Sequence, residues 1–66
     1  MKIHFDQAAD ALYIILVEAD VLESEEVQPG VVFDFDAESR VVAIEILRAS
    51  QRVPNANLKQ IEIEVA

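Results

Sequence analysis

The sequence predicts a mostly β protein: an antiparallel sheet of two β-hairpins completed by a C-terminal strand, with room for one helical turn near residues 48–52. Two observations carry this. Residues 31–47, VVFDFDAESRVVAIEIL, are two arms that alternate apolar and polar side chains around a polar loop, and residues 2–17, KIHFDQAADALYIILV, repeat the arrangement. A period of two is that of half-buried strands. In each stretch a four-residue loop sets apolar against apolar residues, and a one-residue slip would turn one arm inside out, so the register is strongly specified.

In the first hairpin Ile3 and Phe5 point one way and Lys2, His4 and Asp6 the other. A loop over 7–10 then places Phe5 opposite Leu12 and Ile3 opposite Ile14. QAADAL also reads as a helix start with Asp10 near its N-terminus, but Tyr13, Ile14, Ile15 and Val17 favour a strand. The other side of that strand, Tyr13, Ile15 and Val17, is apolar as well, which points to a second layer or an interface. Residues 18–26, EADVLESEE, form an acidic connection in which Val21, Leu22 and Val27 add a short edge strand, its charge discouraging unwanted pairing. Gln28-Pro29-Gly30 supplies a type II turn, with Pro29 setting φ and the only glycine taking φ > 0.

The second hairpin, with a loop over 37–40, pairs Asp36 with Val41, Phe35 with Val42, Phe33 with Ile44 and Val31 with Ile46. The expected interior is Ile3, Phe5, Leu12, Ile14, Phe33, Phe35, Ile44 and Ile46. RASQR is a helical turn at most, Pro54, Asn55 and Asn57 mark a loop, and residues 58–65 alternate Ile61, Ile63 and Val65 with Gln60, Glu62 and Glu64 as a last amphipathic strand.

Sixty-six residues make one domain, 1–66, with a thin core of the kind that needs disulfides, metal or a partner subunit. There is no cysteine, and one histidine excludes a structural zinc built from several Cys and His ligands. Oligomerisation remains, and a homodimer is expected, with Tyr13, Ile15, Val17 and the C-terminal Ile61, Ile63 and Val65 at its interface. Thirteen acidic against five basic residues give a net charge of −8, which opposes binding to nucleic acid and suits a basic protein partner. No apolar run approaches the roughly 20 residues that cross a bilayer, and Met1-Lys2 leads into an alternating segment, so no membrane association is expected and the cytoplasm is the expected compartment.

Three motifs stand in order: D-x-x-A-D-A-L-Y-I at 6–14, E-S-E-E-V-x-P-G-V-V-x-D-x-D at 23–36, and A-I-E-I-L-x-A-S at 43–50. Together they resemble domain of unknown function family 2283 over roughly residues 1–52. The resemblance implies a small, mostly β, bacterial-type cytoplasmic protein without a settled activity, some members being similar to one half of toxin–antitoxin-like pairs. Two departures stand out: Ser39 and Ala43 occupy positions where such sequences often have glycine.

Candidate chemistry is sparse. Asp34, Asp36, Glu38 and Glu45 fall at positions 1, 3, 5 and 12 of a calcium-loop pattern, but Ser39 replaces its glycine at position 6 and the flanks alternate like strands instead of helices. A hairpin would still place Asp34, Asp36 and Glu45 on one face as a weak cation site. His4 stands two residues from Asp6 as a general base would, yet Ser24, Ser39 and Ser50 sit in unrelated loops and no cysteine offers a nucleophile. Tyr13, Phe33 and Phe35 could stack bases, but Asp34 and Asp36 interleave them where basic residues belong. The expectation is a noncatalytic acidic interaction module without a cofactor, one half of a toxin–antitoxin-like pair covering a basic protein. The alternative is a small ligand- or divalent-cation-binding domain using Asp34, Asp36 and Glu45.

Overall fold

A computed structural model describes residues 1–53 and 60–66. Five antiparallel strands form one sheet: β1 (Lys2–Asp6), β2 (Ala11–Ile15), β3 (Glu23–Gln28), β4 (Val31–Phe35) and β5 (Val41–Leu47), followed by one helical turn, α1 (Ala49–Arg52). The spatial order is β1-β2-β5-β4-β3, so the last strand in sequence lies in the middle and joins the two halves of the chain.

The first hairpin has the expected register, with Phe5 opposite Leu12 and Ile3 opposite Ile14. Its loop is organised by two aspartates. The Asp6 Oδ1 accepts the Ala9 N–H at 3.1 Å, and Asp10, at φ 52°, reaches across to α1. There its two carboxylate oxygens accept the Ser50 N–H at 3.0 Å and hydroxyl at 2.7 Å, while its carbonyl accepts the Ala49 N–H at 3.0 Å. A short helix gains little from propensity alone, and these three bonds are what hold the turn. Ala49, fully buried, and Ala11 leave the room for that approach.

Gln28-Pro29-Gly30 makes the β3–β4 turn as expected, with Gly30 at φ 83°. A Cβ there would stand 3.0 Å from the Arg48 Nη2, and the Arg52 guanidinium donates to the Pro29 carbonyl. Thus α1 is tied to both hairpin turns at one end of the sheet.

The second hairpin differs from expectation by one residue. Val31 faces Ile46 and Phe33 faces Ile44, but Phe35 faces Val41 instead of Val42 because a bulge follows Asp34. The loop therefore spans 36–40, and Asp36 sets its length. Its Oδ1 accepts the N–H groups of Glu38 and Arg40, both at 2.9 Å, and its Oδ2 accepts the Arg40 Nε–H at 2.9 Å. This geometry holds Ser39 at φ 60°.

Cross-strand neighbours share a face. One face carries Ile3 and Phe5 of β1, Leu12 and Ile14 of β2, Ile44 and Ile46 of β5, Val31, Phe33 and Phe35 of β4, and Glu23 and Glu25 of β3. The other carries Lys2 and His4, Tyr13 and Ile15, Ala43 and Glu45, Val32 and Asp34, and Ser24 and Glu26. The eight residues expected inside are only half-buried; the buried apolar residues are Ala11, Val31, Val42, Ala43 and Ala49. A single layer of strands buries backbone and small side chains at its centre but needs a second layer to bury large ones.

Of the strand expected over 58–65, residues 60–65 are exposed and without regular pairing, and 58 and 59 lie outside the described residues. The helical turn expected at 48–52 is present as α1.

Because the Arg48 side chain is exposed and can move, the positive φ decides the effect at Gly30: Gly30→Ala should cost about 1–2 kcal/mol. Ser39→Gly should do the reverse, a net gain of roughly 0.5 kcal/mol once the extra freedom of glycine in the unfolded chain is deducted. Chemical denaturation of the two variants beside the parent checks both signs.

Candidate functional site

The strongest arrangement of polar side chains lies on the mixed face. In one row across the sheet stand Ile15, Ala43, Asp34 and Ser24; in the adjacent row stand His4, Tyr13, Glu45, Val32 and Glu26. Asp34 and Glu45 are diagonal neighbours, and Ala43 between them has too small a side chain to separate their carboxyl groups. Asp34, only 6% exposed, accepts the Ser24 hydroxyl at 2.6 Å. Glu45 shares a hydrogen bond with Asp34, and that bond, its partial burial and the nearby Asp34 charge push its pKa up to about 7. Glu45 thus retains its proton up to near neutrality.

These carboxyls open onto a groove of about 320 Å³ lined by Tyr13, Ile15, Val17 and Val21. A second, more open hollow of about 420 Å³ adjoins it at the β1 edge, beside Lys2, His4 and Asp6.

Of the expected metal set, Asp34 and Glu45 come together and Asp36 does not. Asp36 turns into its own loop, where the Arg40 backbone N–H, the Arg40 guanidinium and the Glu38 N–H hold its carboxyl below the usual range. Among the described residues no group of three or more His, Cys, Asp or Glu side chains is placed to hold a metal ion. His4 packs near Tyr13, ring centroids 6.0 Å apart, while Asp6 Oδ1 accepts the Ala9 N–H. Tyr13, Ile15 and Val17 line the groove together, but Ile61, Ile63 and Val65 are exposed apart from it.

Ser24, expected in a loop, stands instead in β3, and its partner does not follow from the turn. Counting back from the Pro29-Gly30 turn would set Ser24 opposite Phe35; a register shift between Glu26 and Gln28 moves it opposite Asp34. Bulges leave no dependable composition signal.

The fold and this site define a small single-sheet β protein with a carboxyl pair on one face and an apolar surface on the other. The chain belongs to the family described as Protein of unknown function (DUF2283), whose model matches residues 2–50. No curated protein and no solved structure matches the chain. No helix among the described residues is long and apolar enough to cross a membrane.

Glu45 gives the site a pH signature. Its pKa is raised on folding, so the native state holds a proton that the unfolded state releases above about 4.5, and stability falls as pH rises from there to about 7. The full shift corresponds to about 3 kcal/mol, an upper figure because the group is partly solvated. Glu45→Gln keeps a donor toward Asp34 and removes the titration. Melting temperatures from pH 5 to pH 8 should therefore fall in the parent and stay nearly level in the variant; parallel curves would show that the repulsion of the whole acidic chain, not Glu45, sets the slope.

Proposed function

We propose that the chain is a noncatalytic acidic interaction module that covers a basic protein, as one half of a pair of the toxin–antitoxin type. The observation that carries this reading is the outer strand. β3 is an edge of the sheet, its Glu23, Glu25 and Glu26 are exposed, and the exposed Glu18 and Asp20 precede it in the same connection. An edge strand offers unpaired backbone groups, and its acidic side chains select against a second acidic strand and for a basic one. The chain's charge of −8 would steer such a partner toward it.

The catalytic alternative lacks support. The Ser24 hydroxyl donates its hydrogen bond to Asp34, and the only histidine lies in the row of Glu45, two strands away from it. A cation site on Asp34, Asp36 and Glu45 draws no support from the geometry either, because Asp36 is engaged by Arg40 and Glu38.

A lysine- and arginine-rich peptide labelled for fluorescence anisotropy is the probe. Binding is expected at low salt, weakening at least tenfold as the Debye length falls from about 10 Å at 0.1 M to about 3 Å at 1 M. The double variant Glu25→Lys/Glu26→Lys should abolish it, whereas Asp34→Asn on the mixed face should leave it unchanged. No binding at low salt, or binding indifferent to the β3 charges, would overturn the reading.

A further inference from the structure

We propose that the chain associates with a second copy of itself edge to edge, β1 against β1, to form one ten-stranded antiparallel sheet with a two-fold axis at His4. Among the described residues nothing pairs with the outer side of β1, which ends the sheet opposite β3.

The two edges are built differently. Sheet edges that must stay unpaired are blunted by charge, by bulges or by proline. β3 has all three: the exposed Glu23, Glu25 and Glu26, the register shift between Glu26 and Gln28, and Pro29 directly after it. β1 has none of them. Its pairing with β2 runs from Lys2 to Asp6 without a shift, and its lysine is balanced by its aspartate.

The sequence of β1, KIHFD, is complementary to itself. Two copies of one strand pair antiparallel only in registers that join odd with odd and even with even positions, because outward-facing backbone groups alternate along the strand. The one such register that pairs all five residues sets His4 against its own copy. It places Lys2 opposite the partner's Asp6 and Ile3 opposite the partner's Phe5, and the two-fold axis repeats both pairs. Opposite charges and apolar neighbours directly across from one another each favour pairing. The same operation on β3 fails, since a register centred on Glu25 or on Glu26 sets that carboxylate against its copy.

An axis perpendicular to the sheet keeps each face on its own side. Lys2, His4 and Asp6 extend the mixed face, and Ile3 and Phe5 the apolar one. The open hollow beside Lys2, His4 and Asp6 then meets its copy across the axis. In the order β3-β4-β5-β2-β1-β1-β2-β5-β4-β3 the two acidic strands stand nine spacings of about 4.8 Å apart, roughly 43 Å, well beyond the Debye length of about 10 Å at 0.1 M salt. Five paired residues make an interface short of the about 800 Å² that each partner buries in a stable complex, so the dimer forms only as concentration rises.

The test uses the full chain alone, so its outcome does not depend on any basic partner. Between about 20 µM and about 1 mM, a range suited to so small an interface, sedimentation equilibrium should show the mass rising from 7.4 kDa toward twice that value and no further. Lys2→Glu sets a carboxylate against Asp6 at two places in the dimer and should weaken association at least fivefold; adding Asp6→Lys should restore it. Circular dichroism reports whether the double variant, which also loses the Asp6 bond to Ala9, keeps its sheet. Where it does not, cross-linking decides. The chain has no cysteine, and under oxidation the thiol of His4→Cys should join its copy at least tenfold faster than that of Ile63→Cys, although Ile63 is 70% exposed. A monomer throughout, association indifferent to Lys2→Glu, a folded double variant that fails to regain it, mass growing past two chains as β1–β3 pairing would give, or cross-linking led by Ile63→Cys would each overturn the proposal.

Discussion

The fold depends on β5 pairing on both sides. β2 and β4 belong to different hairpins, and only the late strand between them makes one sheet of two otherwise marginal units. Hydrogen bonds extend this seam beyond the strands: the Leu16 and Val17 N–H groups both reach the Val42 carbonyl, and the Leu47 N–H reaches the Gly30 carbonyl at 2.8 Å. Val42, 2% exposed, is the largest fully buried side chain among the described residues. The centre of a lone sheet protects β5 first.

The motifs that carry the family resemblance can be traced to this assembly. Asp10 and Ser50 bond to each other, Ala11 and Ala49 are buried beside that link, and Pro29 and Gly30 receive the arginines that flank it. Asp36 shapes the last hairpin. Most of the recurrent pattern therefore specifies how the two hairpins are pinned at one end, and says little about a ligand. Asp34 is different: burying it helps no turn and forces a neighbouring glutamate to keep a proton near neutrality.

Both hairpins, the Pro29-Gly30 turn and the helical turn after Leu47 were legible because each is a local pattern: alternation, a φ > 0 glycine after proline, a short polar stretch after a strand. The strand order was not legible, since nothing in alternation says which hairpin arm meets which. The two register shifts were hidden for a related reason. Phe35 opposite Val41 and Ser24 opposite Asp34 arise from carboxylate and bulge geometry that leaves the apolar period intact on either side. Of the candidate site, Asp34 and Glu45 were legible as same-face residues; Asp36 was assigned to that face by counting, and its backbone bonds withdrew it.

The energetic contrast between the two faces gives the sheet its direction. Covering the apolar face would remove the part of its aliphatic and aromatic surface that is still wet, at about 25 cal/mol per Å². Covering the other face would desolvate Asp34 and Glu45, at several kcal/mol for any charge left without a counterion. Glu45 already responds to partial burial by retaining its proton, and full burial would drive it further in that direction. Among the described residues, none that lines the groove beside them is basic. The carboxyl pair thus acts against covering the mixed face, as the isoleucines act for covering the apolar one.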